Sequence, residues 1–325
     1  MASNAMICVA PTSLIPTFFL AAVAVGTFVW LLVDAIRNRG WRWAATLVGG
    51  AFFGFVVEWL NTHTGSSHIY CYPPIPQCPI LSPLGVPFWV ALGWGSVIYA
   101  ATWTAQRLRL PAVGQAVAAA LLAVSVDFSL DPVSELFGFW TWERFPVNFC
   151  HVPYDNFIGW YLIVFIYAWT TPWVLGHFRS SWYAPPGQPT PKWSAAIQWA
   201  APLACAAVAT GALIGVKVLV SSFTSLGADN GKTAAAIFIG VTILGGFVTF
   251  WLGRATVNLP KTLINWPVII VPAVIHVACY LLFLSTGFTF SPLQWVGWTQ
   301  EPMLVASIPI QLVGGLFVFT TPWRR

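Results

Sequence analysis

The sequence predicts an all-α fold, a polytopic membrane helix bundle, and three observations carry that expectation. The 325-residue chain is 58% hydrophobic and only 7% charged, with 20 tryptophans and a mean hydropathy of +0.76, which leaves too little polar surface for a water-soluble globule. Its apolar residues gather in runs of about 20, the length at which a helix crosses about 30 Å of hydrocarbon with its backbone hydrogen bonds kept internal. Eleven of its fourteen cations stand after alternate runs, on one side of the bundle.

In chain order the runs fall at 14–34, 43–60, 86–105, 112–130, 157–177, 195–220, 234–253, 265–285 and 303–320, which predicts about nine transmembrane helices. The second is short and ends on Glu58, so the count is eight if it does not span. No cationic segment or small-residue cleavage pattern marks a removable signal peptide, so the first run is expected to remain as a helix. Arg37, Arg39 and Arg42 follow run one, Arg107 and Arg109 run three, Arg179 and Lys192 run five, Arg254 and Lys261 run seven, and Arg324 and Arg325 run nine. Cations on one side of the bundle are a topology signal, not a groove for nucleic acid; they place the N-terminus outside and the C-terminus inside.

Nothing divides the chain into separate folding units, so 1–325 reads as a single integral membrane domain. The Pro- and Gly-rich stretch "RSSWYAPPGQPTPKW" reads as a cytoplasmic linker over 179–194. Residues 1–178 hold most of the carboxylates and histidines, whereas 195–325 hold only two carboxylates, Asp229 and Glu301, and one histidine, and read as packing helices. The pairs Gly50/Gly54 and Gly211/Gly215 suit close helix packing within the chain.

Several motifs fail on spacing. "GADNGKT" at 227–233 has one residue too few between its glycines for a phosphate loop. The five histidines form no metal-binding box, and no second Asp-rich cluster accompanies Asp127 and Asp131 as a magnesium diphosphate site would require, so neither a metal nor a cofactor is expected. Cys71 and Cys78, in "YCYPPIPQC", share an outer loop; a disulfide between them and simple packing are both open readings. Cys8, Cys205 and Cys279 lie in or near apolar runs and read as small core residues.

The chemistry concentrates in "VDFSLDPVSELFGFWTWERFPVNFCHVPYDNFIGWYL", beginning at Val126, which holds five of the chain's nine acidic residues. Asp127, Asp131 and Glu135 stand at i, i+4 and i+8, one face of any helix that continues through them, although Pro132 is expected to bend or end it. Glu135 and Glu143 read as wet helix-end charges. Glu58, Asp127 and Asp131 are embedded in apolar sequence, where an ionised Asp at a helix centre costs about 2.5–3.5 kcal/mol. A carboxyl there is favoured in its neutral form, the property required of a Brønsted acid acting on an apolar substrate. Trp140, Trp142 and Trp160 could form an interfacial belt, or walls that stabilise a carbocation by cation–π attraction of about 0.5–2 kcal/mol per ring.

Three pieces give this chain a resemblance to a known family: "VEWLNTHTGSSHIYCY", "LGVPFWVALGWGSVIYA" and "DFSLDPVSELFGFWTW" with "VPYDNFIGW" after it. In order and spacing across 54–162 they resemble the CruF-type carotenoid hydratase family of integral membrane proteins. Ser66, Ser67, His68 and Ile69 replace a Gly–x–Phe–Gly–x–Tyr turn common in that family, and "CYPPIPQCPILSP" looks like an insertion. The resemblance implies cofactor-independent addition of water to the terminal C1–C2 double bond of an acyclic carotenoid or polyprene, in a prokaryotic cytoplasmic membrane with the site toward the outer face. It implies Asp127 or Asp131 as the acid, Glu58 as its partner, and His63, His68 or Asp155 to orient or deprotonate the water. Asn156 would hold that water or fix its loop, and Tyr70, Tyr154 and the three tryptophans would contact substrate. Partners would be the apolar substrate, membrane lipid and other isoprenoid-pathway enzymes. The same protonation without water capture would make a membrane terpene or carotenoid cyclase, and a pigment carrier or transporter would need no acid at all.

Overall fold

The computed structural model describes residues 15–63, 70–72, 82–107, 110–142, 148–149, 151–179, 194–223, 232–253, 273–275, 277–279 and 281–282. Seven long helices account for nearly all of them: α1 (Ile15–Asp34), α2 (Trp41–His63), α3 (Phe88–Arg107), α4 (Ala112–Phe137), α5 (Tyr154–Arg179), α6 (Ser194–Phe223) and α7 (Lys232–Gly253). They match the first seven apolar runs. The ninth expected helix, 303–320, lies outside the described residues, as do all but short helical fragments of the eighth. Five helical stretches, 15–39, 41–63, 112–135, 154–176 and 200–218, are long and apolar enough to cross a membrane. The protein is an all-α, integral membrane helix bundle.

Two helices run further than their apolar runs predict. The second passes Glu58 and ends at His63, so α2 is 23 residues long. Pro132 lies inside α4, and the helix reaches Phe137. Proline removes one N–H and leaves the rest of the ladder in place. The stop comes at Gly138, whose left-handed φ of 67° closes the end while its N–H and that of Phe139 turn back to the Glu135 and Ser134 carbonyls.

The core is a ring of contacts in which α2 packs on α3 and α6, α4 on α5 and α3, and α5 on α6, with α1 laid along α3 and α7 against α4 and α5. Glycines set the closest approaches. A Cβ on Gly54 would lie 2.3 Å from Trp94 Cβ, and one on Gly95 would lie 2.8 Å from the Leu47 carbonyl oxygen, so α2 and α3 touch backbone to side chain. Gly49 makes the same accommodation for α5 and α6, since its Cβ would fall 2.5 Å from the Tyr167 hydroxyl and 2.8 Å from the Pro202 carbonyl oxygen. That hydroxyl donates to the Thr46 carbonyl at 2.9 Å. Gly211 and Gly215 differ from the expectation: added Cβ atoms there meet nothing within 4 Å among the described residues, because that stretch of α6 faces outward.

At the end where α1 gives way to α2 a π-helical turn, Ala35–Arg39, folds Arg39 back onto Asp34 and over the Trp103 ring, 4.6 Å from its centroid. At the opposite end two short antiparallel pairings tie the loops. β1 (Tyr70–Cys71) pairs with β2 (Thr141–Trp142), and β3 (Asn148–Phe149) with β4 (Val152–Pro153). His151, in the β3–β4 turn, takes a φ of 67° and donates its N–H to Asn148 Oδ1 at 2.9 Å.

Replacing Gly54 by alanine is expected to destabilise the bundle by about 1–3 kcal/mol through overpacking against Trp94. Gly26→Ala, where an added Cβ meets nothing within 4 Å, should leave the protein as stable or slightly more so. Thermal unfolding of both variants in detergent checks the contrast, and equal midpoints would refute the packing role of Gly54.

Candidate active site

Helix direction brings the chemistry to one end of the bundle. Glu58 lies in the last turns of α2, Trp94 in the second turn of α3, Asp127 and Asp131 in the second half of α4, and Asn156 and Trp160 in the first turns of α5. Because neighbouring helices run antiparallel, all six reach the end opposite Arg37, Arg39 and Arg42.

The continuous α4 helix places Asp127 and Asp131 one turn apart on a single face, and α5 meets them there. Asn156 Nδ2 donates to Asp127 Oδ2 at 3.1 Å and also to Asp131 Oδ2, so one amide bridges both carboxyls, which also touch each other. The pair is set deep: Asp127 is 0% exposed and Asp131 2%. Glu58, 6% exposed, has a different setting. Trp94 Nε1 donates to Glu58 Oε1 at 2.7 Å, and the Tyr72 hydroxyl donates to Oε2 at 2.9 Å.

The two settings face one cavity, which encloses about 770 Å³ of space with its open mouth included. Glu58, Asp131 and Asn156 supply its polar groups, and Trp94, Trp140, Trp142, Trp160 and Tyr72 its aromatic walls. The rings buttress each other. Trp94 and Trp160 lie 4.2 Å apart between centroids, and Tyr72 meets Trp140 edge-on at 5.9 Å. The β1–β2 pairing holds Tyr72 over the cavity beside Trp140 and Trp142, and the Trp142 N–H is fixed by Glu135 Oε2 at 3.1 Å.

Not every expected residue reaches this space. Asp127 stands behind Asp131 and does not line the cavity. Asp155, next to Asn156 in the first turn of α5, also lies off it. His63 is exposed at the end of α2, stacked on Trp59 at 5.4 Å and held by the Trp59 carbonyl. Tyr154 turns to the opposite side of α5, against Phe157 and Phe238 of α7. His68, Cys78, Glu143 and the side chains of Tyr70 and Cys71 lie outside the described residues, and the Cys71–Cys78 pairing with them. Two members were missing from the sequence-based set, Tyr72 and Trp94. Both stand inside the stretches that carry the family resemblance, in "YCY" and "LGWGS", but their common partner Glu58 could be found only in three dimensions.

Among the described residues no three His, Cys, Asp or Glu side chains gather into a metal-ligand set. The arrangement offers instead a bridged carboxyl pair, a separately bonded carboxyl and a lining of aromatic faces. Comparison with curated proteins and with solved structures gives no match. A family model described as carotenoid biosynthesis protein matches residues 14–226, which include every described residue that lines the cavity except Ile275. The chain thus belongs to the carotenoid biosynthesis protein family, in agreement with the resemblance its motifs carry.

Proposed function

We propose that the protein is a hydratase, adding water across the terminal C1–C2 double bond of an acyclic carotenoid or related polyprene. One observation carries the reading: two carboxyl groups with opposite hydrogen-bond settings, Asp131 and Glu58, face the same apolar, aromatic cavity. Asp127 and Asp131 are in contact away from water, with a single amide between them, and Asp127 Oδ1 meets no donor among the described residues. Two full negative charges there would repel with little to offset them, so the pair holds a proton between them. Glu58 accepts at both oxygens, and the indole N–H can only donate. That is the setting of an anion.

These settings divide the work of hydration. Asp131, the member of the pair that faces the cavity, gives its proton to C2, and the C2–H bond forms as the π bond breaks. The tertiary cation at C1 is stabilised by the faces of Trp140, Trp142 and Trp160 and by the charge on Glu58. A water captures C1 and gives up a proton to Glu58, and return of that proton to the aspartate pair restores the enzyme. The product is the substrate plus one water, with no change of redox state. By the positive-inside rule the cationic end opposite the site is cytoplasmic, so the cavity opens toward the outer face, with the N-terminus outside.

Membranes containing the protein, given lycopene in isotope-labelled water, are expected to yield a labelled tertiary alcohol. A product of unchanged mass would show cyclisation instead, and binding without any product would show a carrier; either result would overturn the hydratase reading. Asp131→Asn should lower turnover by about 10²–10⁴-fold, the usual worth of a general acid. Asp127→Asn, behind it, should cost less, and equal losses would refute the assignment of Asp131 as the donor. Glu58→Gln keeps the shape but loses the charge. It should slow product formation by about tenfold or more while lycopene binding is retained, as read by quenching of tryptophan emission.

A further inference from the structure

The cavity has a second arm that the chemistry above does not use. Beyond the carboxyls it extends between α1 and α3, where Leu20, Val23, Ala24 and Thr27 face Trp89, Val90, Gly93 and Val97. On α3 this lining runs from Trp89 to Val97, two turns and about 12 Å of helix. Apart from Thr27 and the adjacent Ser96, whose hydroxyl is turned to the Leu92 carbonyl at 3.0 Å, the arm is apolar.

Gly93 stands at the middle of this wall, and it differs from the other glycine of α3. Gly95 is required by packing, because its Cβ would strike the α2 backbone. At Gly93 a Cβ would meet nothing within 4 Å among the described residues, although the position lines the cavity. Glycine inside a helix costs roughly 0.5–1 kcal/mol relative to alanine, and among the described residues no close approach accounts for it here. The space that Gly93 leaves is continuous with the site and bounded by aliphatic side chains.

We infer that this arm is the seat of the polyene chain and that Gly93 sets the length and bulk of substrate the protein accepts. The inference rests on the cavity being the polyprene site proposed above. The carboxyl chamber takes only the reacting end group. A forty-carbon chain must continue out of it, and the α1–α3 arm is the apolar route that begins beside Trp94. A side chain at position 93 would close that route from one wall. Short chains carrying the same end group fit in the chamber without using the arm, so the block would act on length.

The test compares Gly93→Ala, Gly93→Leu and Gly93→Phe with the unaltered protein in membranes, using lycopene and geraniol as long and short probes of the same end group. The ratio of lycopene to geraniol hydration is expected to fall progressively, by about tenfold or more at phenylalanine. An unchanged ratio, or equal loss of both activities in correctly inserted protein, would overturn the assignment. Quenching of tryptophan emission by lycopene reads occupancy without any reaction. Should the unaltered protein hydrate neither probe, the hydratase reading falls, yet weaker lycopene quenching in the graded series still supports the arm and unchanged quenching still overturns it. The alanine variant adds a single methyl to open space, so it keeps the series interpretable if phenylalanine prevents folding.

Discussion

Everything at this site depends on how three carboxyl groups are kept out of water at the end of an apolar bundle. Each would be costly to bury alone, and the structure offsets that cost with donors from elsewhere in the fold: the Asn156 amide for the α4 pair, and the Trp94 indole and the Tyr72 hydroxyl, from the loop after α2, for Glu58. These bonds bring α2, α3, α4 and α5 to one point. The close approaches at Gly54 and Gly95 follow from the same demand, because Trp94 reaches Glu58 only if α3 lies directly on α2. Packing and chemistry are therefore one constraint, and the difference between the two carboxyl settings is what the geometry can use.

Much of this was legible in the sequence, and the reason is local periodicity. Seven of the nine apolar runs match the described helices, and the i, i+4 spacing of Asp127 and Asp131 puts them on one face of any helix that continues through them. Asn156 was legible through the family resemblance of the segment around it. What was not legible depends on distance in sequence. Glu58 meets Tyr72 across 14 residues and Trp94 across 36, and nothing in the pattern of either aromatic residue announces such a bond. Asp155 and His63 show the converse: one residue from Asn156 and five from Glu58, they lie off the cavity because each successive helical residue is rotated by about 100°. Pro132 misleads for a third reason, since proline is tolerated inside membrane-spanning helices, where neighbouring groups satisfy the freed carbonyl.

The second polar cluster, Asp34 with Arg39 over Trp103, sits at the other end of the bundle and has a different character. There the cation is supplied with a counter-charge and an aromatic face, so the charges cancel locally and anchor the α1–α2 corner. At the carboxyl end the Asn156 amide, the Trp94 indole and the Tyr72 hydroxyl, all neutral, donate to the three acids. A guanidinium in that place would repel a developing carbocation. Neutral donors stabilise carboxylates without adding a positive charge, which is the electrostatic condition the proposed cationic intermediate requires.

The two-residue pairing of β1 with β2 carries a consequence for how the carboxyl chamber keeps its cover. It couples the loop after α2 to the loop after α4, and through Tyr72 it fixes which aromatic ring covers Glu58. Strand side chains alternate, so a slip of one residue in that register would turn the tyrosine away and present its neighbour. A latch of two residues is thus what ties the two loops together, and the cover of the carboxyl chamber depends on it.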